Sequence, residues 1–139
     1  MTVTFFCPGI PKPGGSKTAY RNKYSGKTVV VDACKKNKEW RAAVALFGNQ
    51  AMAGRPPMTG PLRVTFQFAM PFRKEDLRKD GTVKRIVAHT TTPDVTKLTR
   101  STEDALTGIV WKDDAQICKT EAVKHYGETP GCRICVEQL

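Results

Sequence analysis

Between Leu62 and Ala69 the chain alternates cleanly, with Leu62, Val64, Phe66 and Phe68 apolar and Arg63, Thr65 and Gln67 polar between them. A period of two is the pattern of a strand with one buried and one wet face. Such a strand needs neighbours for its backbone and a layer over its apolar side. Two stretches of helical period supply the cover. Trp40, Ala43, Val44 and Phe47 recur at three-to-four spacing in a helix expected from about Ala33 to Met52, stopped by Gly54, Pro56 and Pro57. A second helix is expected to open at Pro93-Asp94 with Asp94 as N-cap and to end at Gly108. Its buried stripe is Val95, Leu98, Thr102, Ala105, Leu106 and Ile109, and its exposed side carries Thr96, Arg100, Glu103 and Thr107.

Further strands are expected at Thr2–Phe6, Thr28–Val31, about Gln116–His125 and Arg133–Glu137. The run Pro8-Gly-Ile-Pro-Lys-Pro-Gly-Gly breaks the first strand and opens what reads as a flexible loop through Lys27. Phe72–His89 reads as a polar loop with charges of both signs, long enough to be disordered or to bind something. No internal repeat or linker divides the chain, and 139 residues make one domain, 1–139, the expectation.

Charge narrows the partner. Lys and Arg number 23 against 13 acids, a net charge of +10, and a cationic excess of this size suits a polyanion. It is unevenly spread: residues 1–50 carry nine bases and two acids, whereas 101–139 carry seven acids and four bases. Lys12, Lys17, Arg21 and Lys23 in the first loop, interleaved with Tyr20 and Tyr24, suit phosphates and exposed bases, though a solvated loop with tucked tyrosines is an equal reading. Arg73, Lys74, Arg78, Lys79, Lys84 and Arg85 make a second basic stretch, and Lys97 lies beside the second helix start. An acidic cluster in a chain that binds DNA needs a reason, and a divalent cation between carboxylate and phosphate is one.

Met1–Pro8 lacks a basic region followed by a long apolar run, so no secretion signal is expected, and no apolar run approaches the roughly 18 residues of a membrane span. Five cysteines without framework spacing then suggest reduced thiols in the cytoplasm. Cys132-Arg-Ile-Cys135 has the CxxC form, but i and i+3 in a strand face opposite ways and no second pair completes a tetrahedral set, so zinc is not expected.

The chemistry concentrates between Thr92 and Ile117. A carboxylate at a helix start and the pair Asp113-Asp114 entering a strand can converge on one Mg²⁺ or Mn²⁺, with Arg100 offsetting charge on phosphate; Asp-Asp pairs before strands are also common as plain turn residues. The three segments Thr92-Pro-Asp-Val-Thr-Lys-Leu-Thr-Arg100, Asp104-Ala-Leu-Thr-Gly108 and Asp113-Asp-Ala-Gln-Ile117 resemble the RusA family of Holliday-junction resolvases, whose words are P-D-x-D-[NK]-L-x-[KR], D-A-L-[TN]-G and D-D-x-Q-[IV]. A weaker likeness covers Pro8–Pro13 and the order of elements.

The resemblance implies a homodimeric, Mg²⁺- or Mn²⁺-dependent endonuclease, often phage- or prophage-encoded, that nicks opposed strands of a four-way junction. A two-fold dimer matches a two-fold substrate. Asp94 would match the first catalytic aspartate, Asp114 the last with Asp113 beside it, and Arg100 the basic catalytic position. Asp104 matches the Asp of D-A-L, or simply pairs with Arg100 four residues earlier. Thr96 departs from the pattern, standing where the family has aspartate. Threonine offers an oxygen but no charge, so divalent binding should weaken unless Glu103, two turns along the helix, or Asp113 compensates. The expectation is an α+β fold, a small mixed sheet with two main helices, RusA-like and dimeric. Its function is paired nicking of branched DNA. The alternatives are a junction-binding relative without catalysis and a non-enzymatic basic DNA-binding protein.

Overall fold

The structure, a computed structural model, describes residues 1–14, 17–32 and 37–139. Its main sheet has four strands: β1 (Thr2–Pro8), β4 (Leu62–Met70), β5 (Ile117–Tyr126) and β6 (Gly131–Gln138). The order across it is β1-β6-β4-β5. β6 is antiparallel to both of its neighbours, and β4 and β5 run parallel, so the sheet is mixed. The two helices are α1 (Asn37–Met52) and α2 (Val95–Leu106), and together with the sheet they make the expected α+β architecture. The first four residues of the helix expected from Ala33 lie outside the described residues.

Alternation in β4 does what the pattern requires. Leu62, Val64, Phe66 and Phe68 are fully buried, and Val136, Ile134 and Cys132 lie beside them in register on β6. The helices close over this face, with Trp40 and Val44 of α1 and Leu98 and Leu106 of α2 in the same core. α2 carries the chain from β4 across the sheet to its parallel neighbour β5, the connection such a pair requires. Its buried stripe includes Ser101, which periodicity of apolar residues passed over, while Val95, Ala105 and Ile109 are only half-buried. Thr102 belongs in the stripe because its hydroxyl donates to Leu98 O (2.9 Å) and accepts from Trp40 Nε1 (3.2 Å), joining the helices through a polar contact.

One loop expectation is corrected and a second is narrowed. The segment read as a flexible loop through Lys27 contains a strand, β2 (Lys17–Arg21), antiparallel to β3 (Thr28–Asp32) in a separate two-stranded sheet. Glycines and lysines around it masked a short Thr- and Tyr-containing strand whose partner is the Val-rich β3. The Phe72–His89 loop is ordered around Asp76, which is 1% exposed and accepts from Arg73 Nε (2.6 Å) and Arg85 Nε (2.8 Å). A buried carboxylate requires such pairing.

Candidate active site

Four contacts fix α2. Lys124 of β5 donates to Thr91 O (2.7 Å) and Pro93 O (3.0 Å), holding the entry to the helix on the sheet. Gly14 N donates to Lys97 O (2.9 Å), so the proline-rich segment leans on the first turn. Asn37, buried at the start of α1, bonds Pro13 O and Ser101 Oγ (3.2 Å) through one amide nitrogen. A Cβ at Gly14 would stand 3.2 Å from Ser101 Cα, so the segment and α2 pack closely there.

Asp94 occupies the N-cap position, but its side chain makes no capping bond; the carboxylate instead lies 3.6 Å from Lys97 Nζ. It lines a cavity of about 340 Å³ with Ile10, Lys12, Pro13, Thr92 and Lys97. Asp114 sits at the other end of the helix. One carboxylate oxygen accepts from Thr107 Oγ1 and from Nε1 of the buried Trp111 (2.9 Å), which aims the group while leaving its second oxygen outside these contacts. Asp113 caps the short 3₁₀ turn at 114–116: its side chain accepts from Ala115 N (2.8 Å), and the Gln116 amide oxygen accepts from Asp113 N (3.0 Å). Gln116 also donates to Met58 O and Gly60 O, so the D-D-x-Q word is in part a structural clasp.

Along the flank of α2 facing β5 lies a groove of about 320 Å³ lined by Thr96, Thr99, Arg100, Glu103, Thr120 and Ala122. Thr96 and Glu103 therefore open into the same space. Burial pushes the Glu103 carboxyl up to about 7, with repulsion from Asp114 and then Asp104 adding to it and Arg100 opposing. Arg100 is exposed and lines this groove; among the described residues it makes no ion pair with Asp104.

The arrangement changes which acids belong together. Thirteen residues of helix rise put Asp94 and Thr107, the anchor of Asp114, roughly 18–20 Å apart. Asp94 and Asp114 stand at opposite ends of α2 and do not meet within one chain. Among the described residues no three His, Cys, Asp or Glu side chains form a metal-holding group. Glu103, on the flank of the helix, is the acid that feels the charge of Asp114.

The basic residues divide as well. Lys12 and Lys97 flank Asp94. Lys17 lies on β2, and Arg21 and Lys23 carry the hairpin into its turn, both exposed. Arg73 and Arg85 are held by Asp76, and Arg78 donates to Val83 O (2.8 Å) and Thr82 Oγ1 (3.3 Å). Lys74, Lys79 and Lys84 are exposed on the same loop. Cys132 is buried opposite Cys7 while Cys135 points the other way, as strand geometry requires. No helix among the described residues is long and apolar enough to cross a membrane.

A mixed sheet backed by two helices, with a groove holding Glu103 and Arg100 on a basic molecule, defines a small α+β protein. The family model described as "Endodeoxyribonuclease RusA" matches residues 8–137, and the chain belongs to that family. Members of that family are endonucleases of Holliday-junction DNA and in general depend on divalent metal. The chain is also 28% identical over 121 residues to "Uncharacterized protein YqaN" of Bacillus subtilis (strain 168), a match covering 83% of this chain and 82% of that protein.

Proposed function

We propose that this protein is a Mg²⁺- or Mn²⁺-dependent endonuclease that resolves four-way DNA junctions by paired nicking as a homodimer. The observation that carries the reading is the groove on the flank of α2 that Thr96, Arg100 and Glu103 line together, with the charge of Asp114 felt by Glu103. A glutamate whose charge is disfavoured by burial, and further by Asp114 and Asp104, is a group that a cation would relieve, and it opens into the space where the family's second aspartate would point. Glu103 and Asp114 would hold the ion, which when bound polarises the scissile phosphate and furnishes hydroxide. Asp114 is oriented by Trp111 and Thr107, Arg100 offsets the negative charge gathering on the phosphate, and Asp113 keeps the turn under Asp114 in place.

Asp94 keeps its catalytic assignment in this reading by acting across the two-fold dimer, because its own chain's Asp114 is a helix length away. The phosphate-facing cations are Lys12, Lys17, Arg21, Lys23, Lys74, Lys79, Lys84 and Lys97, with Arg73, Arg78 and Arg85 shaping their loop. The free thiols Cys7, Cys118, Cys132 and Cys135 fit work on intracellular DNA, with the family's frequent phage or prophage origin.

A second reading, junction binding without catalysis, is favoured by Thr96 alone. The test is cleavage of a synthetic four-way junction with Mg²⁺ or Mn²⁺ by the unmodified protein and by Glu103→Gln, Thr96→Asp and Asp114→Asn. Metal-dependent paired nicks that disappear in Asp114→Asn and in Glu103→Gln are expected. Cleavage seen only after Thr96→Asp would make it a binding relative. Mixing inactive Asp94→Asn with inactive Asp114→Asn is expected to restore nicking; no recovery would remove Asp94 from a site shared between protomers.

A further inference from the structure

The β2–β3 hairpin ends in a turn that is built rather than loose. The Asn22 side-chain oxygen accepts from Tyr24 N (2.9 Å) and Ser25 N (3.1 Å). Its backbone closes the loop, with Asn22 N donating to Lys27 O (2.8 Å) and Gly26 N donating to Asn22 O (2.9 Å). Gly26 supplies the left-handed φ of 68° that the closure needs. The product of this organisation is Tyr24 held at the tip with its side chain 100% exposed. A turn pinned by four hydrogen bonds around a fully solvated aromatic ring does not serve the core of this chain.

Charge says what the ring faces. From Gly9 to Val31 the sequence holds Lys12, Lys17, Arg21, Lys23 and Lys27 and no Asp or Glu. Arg21, Lys23 and Lys27 flank the tip and are exposed. An exposed ring ringed by cations suits a ligand that is anionic along its backbone and aromatic along its core, which is nucleic acid with an unstacked base. The hairpin forms its own two-stranded sheet, and Gly14, just before it, is bonded to α2. The arm therefore starts beside the helix that carries Arg100 and Glu103.

We propose that Tyr24 is a base-stacking tip: it packs on a base left unstacked at the branch point of the junction while Arg21, Lys23 and Lys27 hold the adjoining phosphates. The inference rests on the junction reading above and adds the element that tells branch from duplex.

The test uses the full chain, without added divalent cation so that no strand is cut, and a synthetic four-way junction carrying 2-aminopurine either at the branch or mid-arm. Wild-type binding is expected to change fluorescence at the branch and leave the mid-arm probe unchanged. Tyr24→Ala should lose the branch signal and weaken junction binding about 5- to 150-fold, the range that stacking on one base implies. Tyr24→Phe should keep both, and Lys23→Ala should weaken binding while keeping the signal. Unchanged melting of Tyr24→Ala is expected, since the ring touches nothing in the fold. A wild-type protein that prefers the junction while Tyr24→Ala matches it in affinity and signal overturns this inference alone. Equal losses on junction and duplex also overturn it, as does a Tyr24→Ala defect confined to self-association. A wild-type protein with no preference for the junction overturns the proposed function first.

Discussion

Glu103 is a half-buried carboxylic acid that burial, and then the charges of Asp114 and Asp104, make harder to ionise. Its pKa of about 7 lies above the ordinary 4.5, so the folded chain holds a proton that the unfolded chain releases in that interval. The sign follows: Glu103 takes nothing from stability below pH 4.5, and stability declines as pH rises to 7. After discounting for solvent screening at a half-exposed site, the decline is on the order of 1–2 kcal/mol. Thermal melts across pH 4.5–7 should show it in the wild type and lose it in Glu103→Gln; parallel curves would contradict the assignment. Asp76 has the opposite sign. Hydrogen bonds from Arg73 and then Arg85 hold its carboxyl below the ordinary 3.8, so its contribution is present above that pH and lost as acid titrates it. Loss of fixed structure in the 73–85 loop, read by hydrogen exchange, is expected only once pH falls below the ordinary 3.8, and Asp76→Asn should remove the loop's protection at neutral pH. At this scale the sequence was half legible. Asp94 and Asp114 stood out through their words, and Thr96 through its departure. Lys124 did not, since its contacts to Thr91 and Pro93 join residues more than thirty positions apart and leave no local pattern.

Elements were readable wherever one face is buried. β4, β6, α1 and α2 each carry an apolar period that burial then uses. β5 was placed to within a residue although it is mostly exposed, because the Asp-Asp pair before it and the Gly127–Gly131 turn after it mark its ends. β2 failed because a short strand in a free-standing hairpin buries too little to need a pattern. Two glycines test how tightly the elements meet. At Gly131, register-paired with Pro8, a Cβ would stand 2.5 Å from the carbonyl oxygen of Cys7. Backbone cannot yield there, so Gly131→Ala should cost about 2–3 kcal/mol in denaturant unfolding. At Gly48 of α1 the obstacle is Leu106 Cδ2 at 2.6 Å, the end of a side chain. Alanine gains about 1 kcal/mol of helix propensity there and loses roughly 1–2 to crowding, so Gly48→Ala should be destabilised by no more than about 1 kcal/mol. The reverse order of these two costs would mean that the helices, rather than β1 and β6, set the tighter contact.

For the whole molecule, the net charge of +10 predicts DNA binding that weakens steeply with salt, since each neutralised duplex phosphate contributes about 0.9 to the slope of log affinity against log salt. A flat salt titration would remove DNA from the reading altogether. The size of that slope depends on Asp76. A guanidinium already matched to a buried carboxylate brings little uncompensated charge to a phosphate and displaces few condensed counterions when the DNA arrives. Arg73 and Arg85 thus add to the charge of the sequence without adding equally to the ions released. Lys74→Ala or Lys84→Ala should lower the measured slope by about one each, and Arg73→Ala by clearly less. The acid at position 76 acts as a built-in counterion, setting aside part of the basic surface as scaffold and leaving the exchange of ions to the lysines around it.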